Sequence, residues 1–374
     1  MSPSWWARMG SGMGMASDQQ WLQLALTGLM IAALPLSYTW VKGRRNRYRQ
    51  LVWLTLFLTF DLILFGGFTR LTDSGLGCPD WPGCYGTANP FLAHVNIHAA
   101  EALMPSGPVT WAKAWIEMVH RYLAMMVGVL IIALMGLAWF KRRELRQSPW
   151  PATALFILVC VQGAFGAWTV TLKLQPVIVT LHLLLGLTLL ASLAWLAARS
   201  QPASAHDAAA GRLSPWIALG IVLLAVQIAL GGWVSTNYAV LACTDFPLCN
   251  GQLIPTMDFR HGFTLWRALG KTASGALLSH EALVAIHWTH RVFAVVVIAY
   301  LGWLALRARR SLTLTRPALV LLALIALQFA SGLSNILLQW PLPIAVAHNG
   351  GAAALLVTLV FMLARSGAAR SWWA

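Results

Sequence analysis

Apolar residues run along this chain in blocks of about twenty, parted by short basic, polar or Gly/Pro-rich stretches. The blocks fall at about 21–41, 50–68, 115–140, 150–172, 177–199, 213–236, 284–306, 317–339 and 345–364. A helix of roughly 20 apolar residues crosses a bilayer core about 30 Å thick, so the pattern predicts nine spanning helices. Two long stretches, 69–114 and 237–283, hold Gly, Pro and short polar residues and predict ordered coil with short interfacial helices. Short turns are expected at 173–176 and 340–344.

The last eight blocks form two copies of a four-helix unit. Gly66-Gly67 returns as Gly231-Gly232, Cys78 and Cys84 return as Cys243 and Cys249, and Gly86 and Pro90 return as Gly251 and Pro255, all offset by 165 residues. Gln162, Gly166 and His182 return as Gln328, Gly332 and His348, offset by 166, and His120-Arg121 answers to His290-Arg291. Because four is even, both copies enter the membrane in the same sense, which predicts a pseudo-twofold axis along the membrane normal. The fold class is therefore all-α integral membrane: an eight-helix core of two tandem four-helix bundles, plus one extra, peripheral N-terminal helix. The expected division is 1–49 (extra helix and basic loop), 50–199 (N-terminal half), 200–212 (linker), 213–365 (C-terminal half) and 366–374 (tail).

Composition agrees: 59% of residues are hydrophobic and 10% charged, against about 25% charged in soluble domains. The formal charge of +15 would suit a nucleic-acid partner if it formed one patch. Instead it clusters at Lys42–Arg49, Lys141–Arg146, Arg199 and Arg212, Arg307–Arg316, and Arg365 and Arg370, all in loops on one side. That is the cytoplasmic bias of a membrane protein, and it excludes nucleic acid as the reason for the charge. It places the long cysteine-bearing loops on the periplasmic side and the C-terminus inside. The N-terminal block, with Arg8 as its early cation and Trp21–Val41 long enough to span, predicts an uncleaved helix with its start outside. Trp5-Trp6 and Trp372-Trp373 suit interfacial anchoring.

Ionisable groups inside a bilayer are costly and mark function. His120, His182, His290 and His348 fall within about two turns of the outward ends of their helices, on the second and fourth helix of each copy. Two neutral imidazoles facing each other across an apolar bundle suit the axial ligation of haem iron. Glu117-Met-Val-His120 stands where the second copy has His287-Trp-Thr-His290, a spacing of three that puts both side chains on one helix face. A carboxylate beside one iron pocket suits proton transfer during substrate oxidation, so the N-terminal copy is expected to react and the C-terminal copy to carry a cofactor. Against this stands an interfacial Glu117 that caps the first turn of its helix. A di-iron carboxylate centre needs more interior acids than the 11 in this chain provide.

For the pairs Cys78/Cys84 and Cys243/Cys249 three readings stand: structural disulfides, redox-active pairs, or metal ligands. Cys160 lies within a span as a packing residue. Arg70, Arg121 and Arg291 are placed either to pair with haem propionates or to reach the headgroups. The glycine pairs allow close approach of a macrocycle or of neighbouring helices. His94, His98, His261 and His280 belong to the outward loops as solvated or interfacial residues, and His206 to the linker.

These residues, from Gly66-Gly67-Phe68-Thr69-Arg70-Leu71-Thr72-Asp73-Ser74-Gly75-Leu76 through Cys78-Pro-Asp-Trp-Pro-Gly-Cys84 and Glu117-Met-Val-His120-Arg121, resemble the haem A synthase family. In the second copy the resemblance rests on Cys243 to Cys249, His287-Trp-Thr-His290-Arg291 and His348, and it covers about residues 50–365. It implies a bacterial inner-membrane enzyme that oxidises a ring methyl of haem O to a formyl group through successive hydroxylations, giving haem A for haem-copper oxidases. It assigns His290 and His348 to a haem b cofactor, His120 and His182 to the haem O substrate, catalysis to Glu117, and disulfides to Cys78–Cys84 and Cys243–Cys249. Implied partners are membrane lipid, a haem O synthase, oxidase assembly factors and further copies of the chain. The extra first helix departs from the family's eight-helix pattern and is expected to touch no motif. The alternative is a di-haem b-type membrane cytochrome that passes electrons, with a parallel-repeat transporter further off; all four histidines lie near one face, which disfavours transport.

Overall fold

A computed structural model describes residues 18–42, 47–145, 147–201 and 207–366. Arg8, Arg44, Arg45, Arg146, His206, Arg370 and the two tryptophan pairs fall outside them. Among the described residues nine helices are long and apolar enough to cross a membrane. They are α1 (Asp18–Lys42), α2 (Arg47–Leu71), α4 (Trp111–Phe140), α6 (Trp150–Thr171), α7 (Pro176–Arg199), α8 (Ala208–Thr236), α10 (His280–Ala308), α11 (Thr315–Leu337) and α12 (Leu342–Arg365). Three shorter helices, α3 (His94–Leu103), α5 (Arg142–Leu145) and α9 (Phe259–Gly262), lie in the connections. Each spanning helix matches its apolar block to within a few residues.

Helix starts follow local chemistry. Thr110 caps α4 by accepting from the Lys113 N–H, Ser279 caps α10 through Ala282, and Asp207 caps α8 through Ala209 and Ala210. Pro176 opens α7 at a position where a missing N–H costs nothing.

The contacts between helices make two closed rings. In the first, α2 packs on α4, α4 on α6, α6 on α7, and α7 back on α2. In the second, α8 packs on α10, α10 on α11, α11 on α12, and α12 back on α8. The rings join through α2 with α12, α7 with α8, and α7 with α12. The first two of these contacts are equivalent under the duplication and the third is its own equivalent. This is the arrangement a pseudo-twofold axis between α7 and α12 requires.

Residues nearest the axis meet their own duplicates. Arg70 Nη2 donates to the Ser235 carbonyl at 2.7 Å, and the Tyr238 hydroxyl donates to Asp73 Oδ1 at 2.6 Å, each across a separation of 165 residues. Arg70 also pairs with Asp73 at 3.1 Å and lies over the Tyr238 ring.

Towards the basic end the rings are filled by buried apolar side chains such as Leu130, Leu134, Leu190, Leu193, Leu301, Leu304 and Leu359. Glu117, His287 and the four histidines of the duplicated spans lie nearer the other end, below the long loops.

Candidate functional site

The four histidines lie six to ten residues inside the loop-side ends of α4, α7, α10 and α12. At 1.5 Å per residue this is one shared depth of roughly 9–15 Å. In the first ring α4 and α7 are diagonal, as are α10 and α12 in the second. Histidines on diagonal helices face each other through the bundle centre, and each pair lies within electrostatic reach, His120 with His182 and His290 with His348.

A glycine on the other diagonal makes room for every ring. A Cβ on Gly66 would stand 3.0 Å from His120 Nε2, and one on Gly231 would stand 3.0 Å from His290 Cε1. The distances are 3.3 Å from Gly166 to His182 and 3.1 Å from Gly332 to His348. The first glycine of each pair therefore serves an imidazole. The second serves helix packing, Gly67 against Asn349 and Gly232 against Leu183.

Polar support of the rings differs between the halves. Gln227 Nε2 stands 3.1 Å from His290 Nδ1 and donates to the His290 carbonyl at 3.2 Å. Gln328 Nε2 stands 3.3 Å from His348 Nε2, and the Ser331 hydroxyl 2.9 Å from His348 Nδ1. In the N-terminal half Gln162 Nε2 holds the His182 carbonyl at 2.9 Å and stands 3.4 Å from His182 Nε2, matching Gln328 beside His348, but the duplicates of Gln227 and Ser331 are Leu62 and Phe165. Among the described residues no hydrogen bond reaches the His120 ring, and His182 Nδ1 is buried without one.

Glu117 is 4% exposed and lies well inside α4, so it does not cap the first turn; Thr110 does. Its Oε2 accepts the Cys78 N–H at 2.8 Å and its Oε1 accepts from Arg121 Nη2. Arg121 Nη1 donates to the carbonyls of Asp80 and Pro82 at 3.1 Å, and to that of Gly83. In the second half buried His287 replaces Glu117 and accepts from Arg291 Nε at 3.1 Å. Arg291 then holds the carbonyls of Cys243, Asp245 and Leu248 at 2.8, 2.8 and 3.0 Å. The donors of Arg121 and Arg291 thus hold the cysteine loops, and those of Arg70 join the halves, rather than projecting towards headgroups.

Both cysteine pairs are disulfides, Cys78–Cys84 and Cys243–Cys249, with Cα atoms 4.9 and 4.7 Å apart. Each loop folds back on an aspartate: Asp80 accepts from the N–H groups of Tyr85 and Gly86, and Asp245 from those of Asn250 and Gly251. Gly86 and Gly251 take φ of +76° and +78°, which a side chain would resist. The Gly251 and Asn250 N–H groups hold the Asp245 carboxyl below the usual carboxylate range.

Of the loop histidines, His98 stacks on Trp111 and His261 pairs with Asp258 at 2.5 Å. Cys160 is exposed on α6 rather than buried in packing. The first helix is not remote from the motifs. Trp21 meets Trp81 edge-on at 5.3 Å, and Leu24 is buried in one cluster with Cys78, Cys84 and Met118. The eight-helix pattern gave no reason to expect this, because α1 has no duplicate to compare. Sequence reasoning also missed buried Arg267, which donates to Asn237 Oδ1 at 2.6 Å.

The residues fit haem. Among the described residues no group of three or more His, Cys, Asp or Glu side chains could hold a bare metal ion. A porphyrin iron brings four nitrogens of its own and needs two more, which is what each diagonal pair offers. The glycine opposite each ring lets the imidazole lie against the neighbouring helix backbone.

Comparison with known proteins accords with this geometry. A family model described as cytochrome oxidase assembly protein matches residues 49–360. A protein of Shewanella oneidensis named haem A synthase is 40% identical over 83% of this chain and 95% of its own length. Haem A synthases of Caulobacter sp. and Mesorhizobium japonicum are 30% and 31% identical, over 84% and 87% of this chain and 95% and 93% of theirs. With the match covering both rings and all four histidines, the chain belongs to the cytochrome oxidase assembly protein family that includes the haem A synthases.

Proposed function

We propose that the chain is a haem A synthase of the bacterial inner membrane, which oxidises the methyl group of haem O to the formyl group of haem A. His120 and His182 hold the haem O substrate, and His290 and His348 hold a haem b cofactor, which when bound supplies electron transfer. The observation that carries this division is the unequal support of the rings. Hydrogen bonds to the outer side of a ligating histidine orient it and typically raise affinity 10–100-fold. At Nδ1 His290 has Gln227 and His348 has Ser331, where His182 Nδ1 has no partner, which suits a group that stays. His120 has no such support, which suits a substrate that must leave as product.

Glu117 supplies the proton chemistry. Taking a methyl to a formyl removes protons from the reacting carbon and from the oxygen it gains, and a fixed carboxylate three residues from a substrate ligand can accept one at Oε1 or Oε2. Cys78 N–H and Arg121 fix its direction. His287, in the same place of the second half, accepts from Arg291 and serves to hold the loop. Residues 50–199 then form the substrate half and 213–365 the cofactor half, with the disulfide loops on the periplasmic side.

The test is haem extraction and chromatography from membranes that express the chain together with a haem O synthase. Haem A should appear, and Glu117→Gln should abolish it while haem b remains. His290→Ala or His348→Ala should remove haem b; His120→Ala or His182→Ala should remove only haem A. A di-haem electron carrier would instead tolerate Glu117→Gln and would lose haem b from either half.

A further inference from the structure

The two cysteine loops are duplicates in sequence and hydrogen bonding, yet they are not equally covered. All four cysteines are buried, but in the first loop Pro82 and Gly83 are buried as well. In the second, Phe246 is 46% and Leu248 is 37% exposed, and Pro247 is exposed with them. The difference is α1. Its loop-side end lays Trp21 on Trp81, places the buried side chain of Gln20 so that its Nε2 would stand 3.2 Å from a Cβ on Gly83, and buries Leu24 among Cys78, Cys84, Ala88 and Met118. Further along, Gly28 lets α1 come so close to α4 that a Cβ there would stand 3.0 Å from Met125 Cβ. The matched family region begins at residue 49, after α1 has ended.

The same loop fixes Glu117 through the Cys78 N–H, and fixes Arg121 through the carbonyls of Asp80, Pro82 and Gly83. A chain of direct contacts thus runs from α1 to the loop, and from the loop to the carboxylate. We infer that α1 is a positioning element for Glu117: its outward end clamps the Cys78–Cys84 loop closed and so holds the carboxylate beside His120. Gln20, Trp21 and Leu24 are the positioning residues. Among the described residues the second half, with no carboxylate to aim, has no such clamp. The inference rests on the proposed catalytic role of Glu117 for its consequence, but the clamp itself can be measured without it.

Reduction of a buried disulfide requires its loop to open. The full-length protein in detergent is treated with a water-soluble phosphine for timed intervals. The thiols are then alkylated and the two cysteine peptides quantified by mass spectrometry. In Trp21→Ala/Leu24→Ala, Cys78–Cys84 should open at least about tenfold faster than in the parent, the change that 1.4 kcal/mol of lost packing gives. Cys243–Cys249 in the same molecules should be unchanged, as should the haem b spectrum; together these show that the variant is folded. Haem A yield should fall several-fold, towards that of Glu117→Gln. Trp21→Phe/Leu24→Met should restore both readouts, and Leu22→Ala/Leu34→Ala, on the exposed face of α1, should alter neither. An unchanged opening rate of Cys78–Cys84, or equal acceleration of both disulfides, overturns the clamp. Faster opening with undiminished haem A overturns the link to Glu117, provided Glu117→Gln still abolishes product. If Glu117→Gln also retains product, it is the catalytic assignment that fails.

Discussion

Gly231→Ala and Gly66→Ala are the same change at duplicated positions, and the division of labour predicts opposite outcomes. A methyl on Gly231 would stand 3.0 Å from His290 Cε1, where carbon atoms ordinarily rest about 3.5–4.0 Å apart. The ring must therefore shift by roughly 0.5–1 Å. It stands beside Gln227, whose amide is held on the His290 carbonyl, so retreat is resisted. Overpacking of this kind costs about 1–3 kcal/mol. The helix regains about 0.5–1 kcal/mol when Gly becomes Ala, so folding is little affected and the cost falls on ring placement. Carried wholly into ligation, 1–3 kcal/mol weakens haem b retention by about 5- to 150-fold. The assay is the haem-to-protein ratio of purified protein by absorbance, with dissociation followed by transfer to an apo-globin acceptor. Gly231→Ala should lose haem b. Gly66→Ala should keep it and instead lower haem A yield, since its methyl would stand 3.0 Å from His120 Nε2. Full haem b retention in Gly231→Ala, or its loss in Gly66→Ala, would refute the reasoning.

Three further outcomes are expected. Arg70→Ala removes a charged hydrogen bond to Ser235 and the ion pair with Asp73; a fall in stability of about 1.5–3 kcal/mol, read as a lower Tm in detergent, is expected, with Tyr238→Phe costing about 0.5–1.5 kcal/mol. Asp207 accepts from Ser311, Thr313 and the first turn of α8, which hold its carboxyl well below the usual carboxylate range. A depressed carboxylate stabilises the fold above the unfolded pKa of about 3.9 and ceases to do so as pH falls through its folded value. Asp207→Asn should therefore lower Tm by a constant amount from neutral pH down to about 4, and the gap to the parent should close in stronger acid. Arg291→Ala frees the carbonyls of Cys243, Asp245 and Leu248; phosphine reduction of Cys243–Cys249 should accelerate while Cys78–Cys84 keeps its rate.

The nine spans were legible because a bilayer demands long apolar helices and basic loops, both of which are local features of the chain. The histidines were legible because duplication repeated them at one depth. What could not be read was contact between distant segments. Gly66 and Gly231 stood out as a repeated pair, yet nothing local says that the first of each faces an imidazole on the next helix. Gln162 and Gln328 stood out in the repeat, whereas Gln227 did not, because its duplicate is Leu62. Arg121 and Arg291 were placed for propionates or headgroups on charge alone. Their donors go to backbone carbonyls about 40 residues away, and backbone carbonyls leave no mark in a sequence. The first helix was set aside because it repeats nothing.

The join at the pseudo-twofold axis says something about why the two bundles share one chain. In a dimer of identical four-helix subunits, a residue on the axis faces a copy of itself. Arginine would meet arginine where Arg70 now meets Ser235, and aspartate would meet aspartate where Asp73 now meets Tyr238. Like charges so placed repel, and in a low-dielectric setting they do so strongly. Covalent linkage releases the axis from that rule, because each position can be chosen against a partner of different identity. The same freedom lets one bundle keep a carboxylate and an imidazole without Nδ1 support while the other keeps imidazoles hydrogen-bonded at Nδ1, so that two halves of one ancestry hold their histidines differently.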